Sequence, residues 1–103
     1  METYRSDEAW NALGDPSRRA IVACLAERPR AVGELADTLP ISRPAVSQHL
    51  KVLEGAGLVT CTKRGTRNLY AVQPDGLAVL RLWLDGFWDD ALIRFKAAAE
   101  GSD

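Results

Sequence analysis

Pro44, Ser47, Gln48 and Lys51 share one side of a stretch that reads as a helix, ISRPAVSQHLKVLEGAGLV, residues 41–59. With Val46 at zero and about 100° per residue, Leu50 falls at about 40° and Leu53 at about 340°, which makes one apolar stripe. Pro44, Ser47, Gln48 and Lys51 fall between about 100° and 200°, on the far side. A helix that only meets water is normally dressed with Glu and Lys. This face instead carries short hydrogen-bonding groups and one cation, and its nearest acid is Glu54, at about 80°. Such groups suit base edges and phosphates: Gln and Ser can donate and accept at bases, short side chains let a helix seat deeply, and carboxylates would repel phosphate. His49, at about 300°, sits at the edge of the apolar stripe and reads as a packed or phosphate-contacting residue, not as a metal ligand.

The charge distribution points the same way. The 103-residue chain has a net charge of −1, but residues 41–70 hold Arg43, Lys51, Lys63, Arg64 and Arg67 against Glu54 alone. Both ends are acidic, so a polyanion would meet a basic middle. At 47% hydrophobic and 26% charged, the chain reads as one globular domain with a modest core. Residues 1–5 contain no apolar h-region and no run approaches a membrane span, so a cytoplasmic protein without membrane partners is expected. Two cysteines, Cys24 and Cys61, are expected as reduced thiols filling sites that want a small hydrophobe.

The elements that must hold this face follow from caps and breakers. Ser6-Asp7-Glu8 predicts a first helix running to about Leu13 before Gly14. Asp15-Pro16 opens a second helix with Ile21 and Leu25 inward, closed by Pro29. A short third helix spans about 32–38, and Pro40 forces Leu39 out of the helical region. Ser42 caps the helix of about 42–56 that carries the polar face. The period then changes to two: LVTCTK and NLYAVQ, about 58–73, predict an antiparallel hairpin with Lys63, Arg64 and Arg67 around its tip. Pro74-Asp75-Gly76 is expected to end the hairpin, a long helix to follow over about 76–99, and 100–103 to form a flexible tail.

Mainly helical with one basic-tipped hairpin, this order is that of a winged helix-turn-helix filling residues 1–99. In that architecture the second helix of the turn motif enters the major groove and the hairpin lies along the backbone or minor groove. The motifs LGDPSRRAIVACL, AVGELADTL, ISRPAVSQHLKVLEGAGLV, KRGTRNLY and the W…FW of the last helix resemble, in order and over nearly the whole chain, the ArsR family of bacterial winged-helix repressors. The resemblance implies a homodimer built from the first and last helices and bound to a palindromic operator, often its own. With the helix face and the basic hairpin, the expected DNA-contacting set is Arg43, Pro44, Ser47, Gln48, His49, Lys51, Lys63, Arg64 and Arg67. Metal-sensing members carry C-x-C-D-L on the third helix. Here those positions include Ala31, Gly33, Glu34 and Leu35, and the last helix has no histidine. The chain is therefore most similar to the small autorepressors that lack metal sites, with no cofactor and no assigned small-molecule effector. Pro40 also stands where the family's turn usually has glycine.

The last helix has more apolar surface than one domain can cover. Leu77, Leu80, Leu84, Ala91 and Phe95 form one stripe, while Val79, Leu82, Trp83 and Ile93 lie off it. A self-association surface of Trp10, Leu80, Trp83, Leu84, Phe87, Trp88 and Ala91 is expected, with Trp10, Trp83 and Trp88 near a two-fold axis. Asp85, Asp89 and Asp90 read as a solvated face. Of Arg18 and Arg19, one is read as an internal ion pair and the other as approaching the DNA backbone. No nucleophile and base are arranged for catalysis, and no glycine loop cradles a phosphate, so an enzyme is not expected. Two other readings remain open: a redox- or metal-switched repressor using Cys24, Cys61 or His49, and a winged-helix module that docks proteins. The basic residues on both helix and hairpin weigh against the second.

Overall fold

The computed structural model describes residues 2–101, with side chains from residue 6 onward. Its order is α1 (Glu2–Ala12), α2 (Pro16–Glu27), α3 (Val32–Thr38), α4 (Arg43–Gly55), β1 (Val59–Arg64), β2 (Arg67–Val72) and α5 (Pro74–Glu100). α1 begins before the expected Ser6 cap. Residues 2–5 contain neither Gly nor Pro to stop a helix, and Ser6 lies inside α1, buried.

Local chemistry explains the other boundaries. Asp15 caps α2, its Oδ1 accepting from the backbone N–H of Ser17 at 2.7 Å and of Arg18 at 3.2 Å, with Pro16 at the first helical position. Leu39 is extended ahead of Pro40, and the Ile41 N–H donates to Leu39 O at 2.7 Å across the proline. That three-residue turn suits the fixed φ of proline and needs no glycine. Ser42 Oγ accepts from Ala45 N–H at 3.3 Å to start α4.

α4 ends in a paired closure: Leu58 N–H donates to Leu53 O and Gly57 N–H to Glu54 O, both at 3.0 Å, with Gly57 at φ 77°. The hairpin pairs Val59 with Val72 through Arg64 with Arg67, which leaves a two-residue loop of Gly65 and Thr66. Gly65, at φ 63°, supplies the left-handed first position of that loop. β1 and β2 each sit one residue from their expected bounds. Arg30 adds a single-residue third strand, exchanging backbone hydrogen bonds with Tyr70 at 3.0 and 2.8 Å.

Ile21, Leu25, Leu35, Val46, Leu50, Leu53 and Leu58 form the sealed centre, joined by Ala9, Ala12, Val59 and Leu80. Leu80 is 5% exposed and belongs to this core, so its expected place on an association surface is corrected: the first turns of α5 pack inward before the helix leaves the body. α5 also starts earlier than expected, because Pro74 occupies its first turn and does not close the hairpin. Of the expected tail, Glu100 closes α5, Gly101 caps it, and residues 102 and 103 lie outside the described residues. Among the described residues no helix is long and apolar enough to cross a membrane.

Two predictions follow from this packing. A Cβ on Gly76 would run into the backbone carbonyl oxygen of Gly57, whereas one on Gly55 meets open space. Gly76→Ala is therefore expected to cost about 3 kcal/mol, at the upper end of overpacking, while Gly55→Ala is neutral or stabilising in thermal melts. At Asp15, burial raises the carboxyl pKa, but the backbone N–H groups of Arg18 and Ser17, with the charges of Arg18 and His49, outweigh it and leave the pKa below the ordinary 3.8. A depressed folded value means that this stabilisation is complete above the unfolded pKa and is lost as pH falls through the folded one. Asp15→Asn should thus melt below the parent at neutral pH, the gap closing on acidification below 3.8.

Candidate nucleic-acid interface

With Val46, Leu50 and Leu53 sealed against the core, α4 turns Arg43, Pro44, Ser47, Gln48 and Lys51 outward, all exposed. Glu54, also exposed, lies in its last turn. On the hairpin, Lys63, Arg64 and Arg67 are exposed as well. The structure thus gives the sequence-predicted polar face to one helix and the remaining cations to one projecting wing.

His49 differs from its neighbours. It is half-buried, and Arg18 Nη1 lies 3.5 Å from its Nδ1. The contact joins the start of α2 to the middle of α4. Arg18 also donates from Nε to Ala12 O at 2.5 Å and lies 3.9 Å from Asp15 Oδ2. Arg19 donates to Leu13 O at 2.7 Å. Both arginines therefore satisfy carbonyls where α1 ends. The internal ion pair expected of one of them falls to Arg18, and the other serves α1.

Arg43 and Arg67 both lean on α3. A Cβ on Gly33 would meet Arg43 Nη2 at 3.0 Å and Cζ at 3.3 Å, so the guanidinium lies over the glycine. Arg67 Nη2 is 2.8 Å from Glu34 Oε1, while Arg28 Nη1 is 3.1 Å from Glu34 Oε2 and Ala31 N–H donates to Oε1 at 3.0 Å. These donors hold the Glu34 carboxyl below its ordinary pKa, the Ala31 N–H first and Arg28 next. Arg67 is thus not the free cation that the sequence suggested. Glu34 was missed as part of this surface because its partner lies 33 residues away and no periodic signal links them. Arg30 was missed as well: it is buried, donating to Cys24 O at 3.2 Å and to Glu27 at 2.7 Å.

The expected association residues divide. Trp83, Leu84, Phe87 and Trp88 are exposed, Trp10 and Ala91 half-buried, and Leu80 internal. Trp10 meets Trp83 edge to face at 5.6 Å, and Trp83 stacks on Phe87 at 5.4 Å, so the aromatic cluster is preassembled within one chain. Leu82, Leu92, Ile93 and Phe95 lengthen the exposed apolar surface of α5. Asp85, Asp89 and Asp90 are exposed, as expected, with Arg81 Nε 3.9 Å from Asp85.

Cys24 is half-buried, but Cys61 is exposed, contrary to its expected packing role. Past Val59 the whole of β1 projects beyond the core, and neither of its faces has anything to bury against. Cys61 pairs across the hairpin with Tyr70, whose hydroxyl pKa is raised by burial and by its hydrogen bond with Cys61. Among the described residues no group of three His, Cys, Asp or Glu side chains could hold a metal ion.

Comparison with known proteins agrees with this geometry. Residues 13–62, which contain α2, α3 and α4, match the family described as Helix-turn-helix domain. The chain is 58% identical to the HTH-type transcriptional regulator Rv2034 of Mycobacterium tuberculosis, over all of this chain and 99% of that one. Its structure is similar to an ArsR-like transcriptional regulator from Rhodococcus sp. RHA1, with a TM-score of 0.87 at 27% identity over 100% and 98% of the two chains. It is also similar to the homodimeric winged helix-turn-helix DNA-binding domain Mb0332 from Mycobacterium bovis, a possible ArsR-family regulator, with a TM-score of 0.68 at 28% identity over 98% and 84%. Motif, fold and whole-length identity converge: the chain belongs to the ArsR family of winged helix-turn-helix DNA-binding transcriptional regulators.

Proposed function

We propose that the protein is a repressor that binds a palindromic operator as a homodimer and needs no metal to do so. The observation that carries the reading is the polarity of α4: one stripe fully sealed, the opposite face exposed and free of carboxylates over three turns. In this reading Ser47 and Gln48 meet base edges, Pro44 allows close approach, and Arg43, His49 and Lys51 meet phosphates. Lys63 and Arg64 on the wing hold the flanking backbone. Occupying the operator excludes other proteins from it, and that is the repression.

The dimer reading rests on the exposed Trp83, Leu84, Phe87 and Trp88, with Ala91 and Trp10 beside them, large apolar side chains clustered on one helix and left in water. The homodimeric relative from Mycobacterium bovis supports it. Metal independence is supported at α3, where Ala31 and Gly33 offer no ligand and the Arg43 guanidinium lies over Gly33.

Gln48→Ala should cost roughly 1–3 kcal/mol on the operator and little on random DNA, whereas Lys51→Ala should weaken both and flatten the salt dependence. Zinc or a chelator should move operator affinity by less than about threefold, a coupling under about 1 kcal/mol. Binding titrations over a range of salt, with operator and random duplexes, check these outcomes, and sedimentation checks the dimer. Unaltered sequence preference in Gln48→Ala and Ser47→Ala would sink the base-reading assignment, and a monomer at micromolar concentration would sink the dimer.

A further inference from the structure

Arg67 and Glu34 suggest a role for the wing's attachment that the overall reading does not contain. Glu34 stands in the first turn of α3 with both carboxylate oxygens engaged: Oε1 by Ala31 N–H and Arg67, Oε2 by Arg28. The side chain of Glu34 is 31% exposed and that of Arg67 is 59% exposed. The acid is therefore the fixed post and the arginine the arm that reaches it. Along the hairpin, the backbone pairing of Arg30 with Tyr70 fastens the base. Beyond it, residues 62–68 are exposed, and among the described residues Arg67 carries the side-chain hydrogen bond from this outer part to α3.

We propose that Glu34 is a positioning residue for DNA binding: by holding Arg67 it fixes the angle of the wing and takes that arginine out of the set of phosphate-contacting cations. The inference rests on the proposed DNA interface, since a wing that touches no DNA has nothing to aim. Its electrostatic consequence is specific. Glu34 and Arg67 neutralise each other, so the wing presents Lys63 and Arg64 to the backbone, and the charge of Glu34 does not repel it. An exposed ion pair contributes little to global stability. Its effect lies in the conformational freedom removed from the outer hairpin before DNA arrives.

The sign of one substitution tests the proposal. Glu34→Gln keeps an oxygen for Ala31 N–H, so α3 keeps its start, but it removes a negative charge near DNA and releases Arg67. If Arg67 were a phosphate anchor held back by Glu34, the variant would bind DNA more tightly, with a salt slope steeper by about 0.9 per new phosphate contact. The positioning role predicts the reverse: a loss of roughly threefold to tenfold on operator and random duplexes alike, with the slope unchanged, as expected when a coupled surface pair is broken. Glu34→Gln combined with Arg67→Ala should be no worse than Arg67→Ala alone.

Tighter binding by Glu34→Gln, or additive losses in the double variant, overturns the proposal. Arg64→Ala and Lys51→Ala separate this from failure of the interface itself. If both weaken DNA binding and flatten the slope while Glu34→Gln tightens it, only the positioning role falls. If neither changes binding, the interface assignment falls and the positioning role with it.

Discussion

Everything the interface does depends on one constraint: Val46, Leu50 and Leu53 cannot leave the core. All three are sealed among Ile21, Leu25, Leu35 and Leu58. A helix held by a single narrow stripe has its rotation about its own axis fixed, because turning it by one residue would expose a leucine and bury a polar group. The azimuth of Ser47, Gln48 and Lys51 is thus set by hydrophobic burial on the opposite side, with no contribution from the polar residues themselves. The caps at Ser42 and at Gly57-Leu58 then set where the helix begins and ends, so both rotation and translation of the outward face are specified.

The basic character of the middle of the chain is partly an internal resource. Arg18 and Arg19 close the end of α1, Arg28 and Arg67 close on Glu34, and Arg30 is buried against Cys24 O and Glu27. A formal charge count treats these arginines as equal to Arg43, Lys51, Lys63 and Arg64, yet their guanidinium groups already have fixed partners. The planar fork of arginine suits this use, since one side chain can satisfy a carbonyl and a carboxylate at once. Arg18 does so, and through His49 it also ties the end of α1 to α4.

Short-range grammar made much of this fold legible in the sequence. The Asp15-Pro16 start, the Ser42 cap, the extended Leu39 before Pro40 and the apolar stripe of α4 are set by neighbours within four residues, and the structure has each where those rules put it. The errors also have physical causes. Ser6 looked like a cap because the same residues are tolerated inside a helix, and Pro74 looked like a terminator because proline serves equally as a first helical residue. Leu80 and Cys61 were misplaced because periodicity gives a face but not what lies opposite it: the core reaches Leu80 and does not reach Cys61. The pairing of Arg67 with Glu34 joins residues far apart in the chain, and composition cannot announce it. The outward polar face of α4 was legible as a pattern, and the contacts it makes belong to the proposed reading.

The approach of Gly76 to Gly57 has a mechanical meaning as well as a steric one. At that point the backbone of α5 rests on the turn that both terminates α4 and launches β1. No side chain lies between them to act as a cushion. α5 is 27 residues long, a rod of about 40 Å, and the joint lies at its first turn. Tilt applied along the rod is therefore delivered to α4 and the wing as leverage, with little slack to absorb it. In the proposed dimer the two reading heads would be geared together through their α5 rods. Such a machine tolerates poorly an operator whose half-sites are moved by one base pair, a rotation of about 35° and a shift of about 3.4 Å that a looser joint would follow.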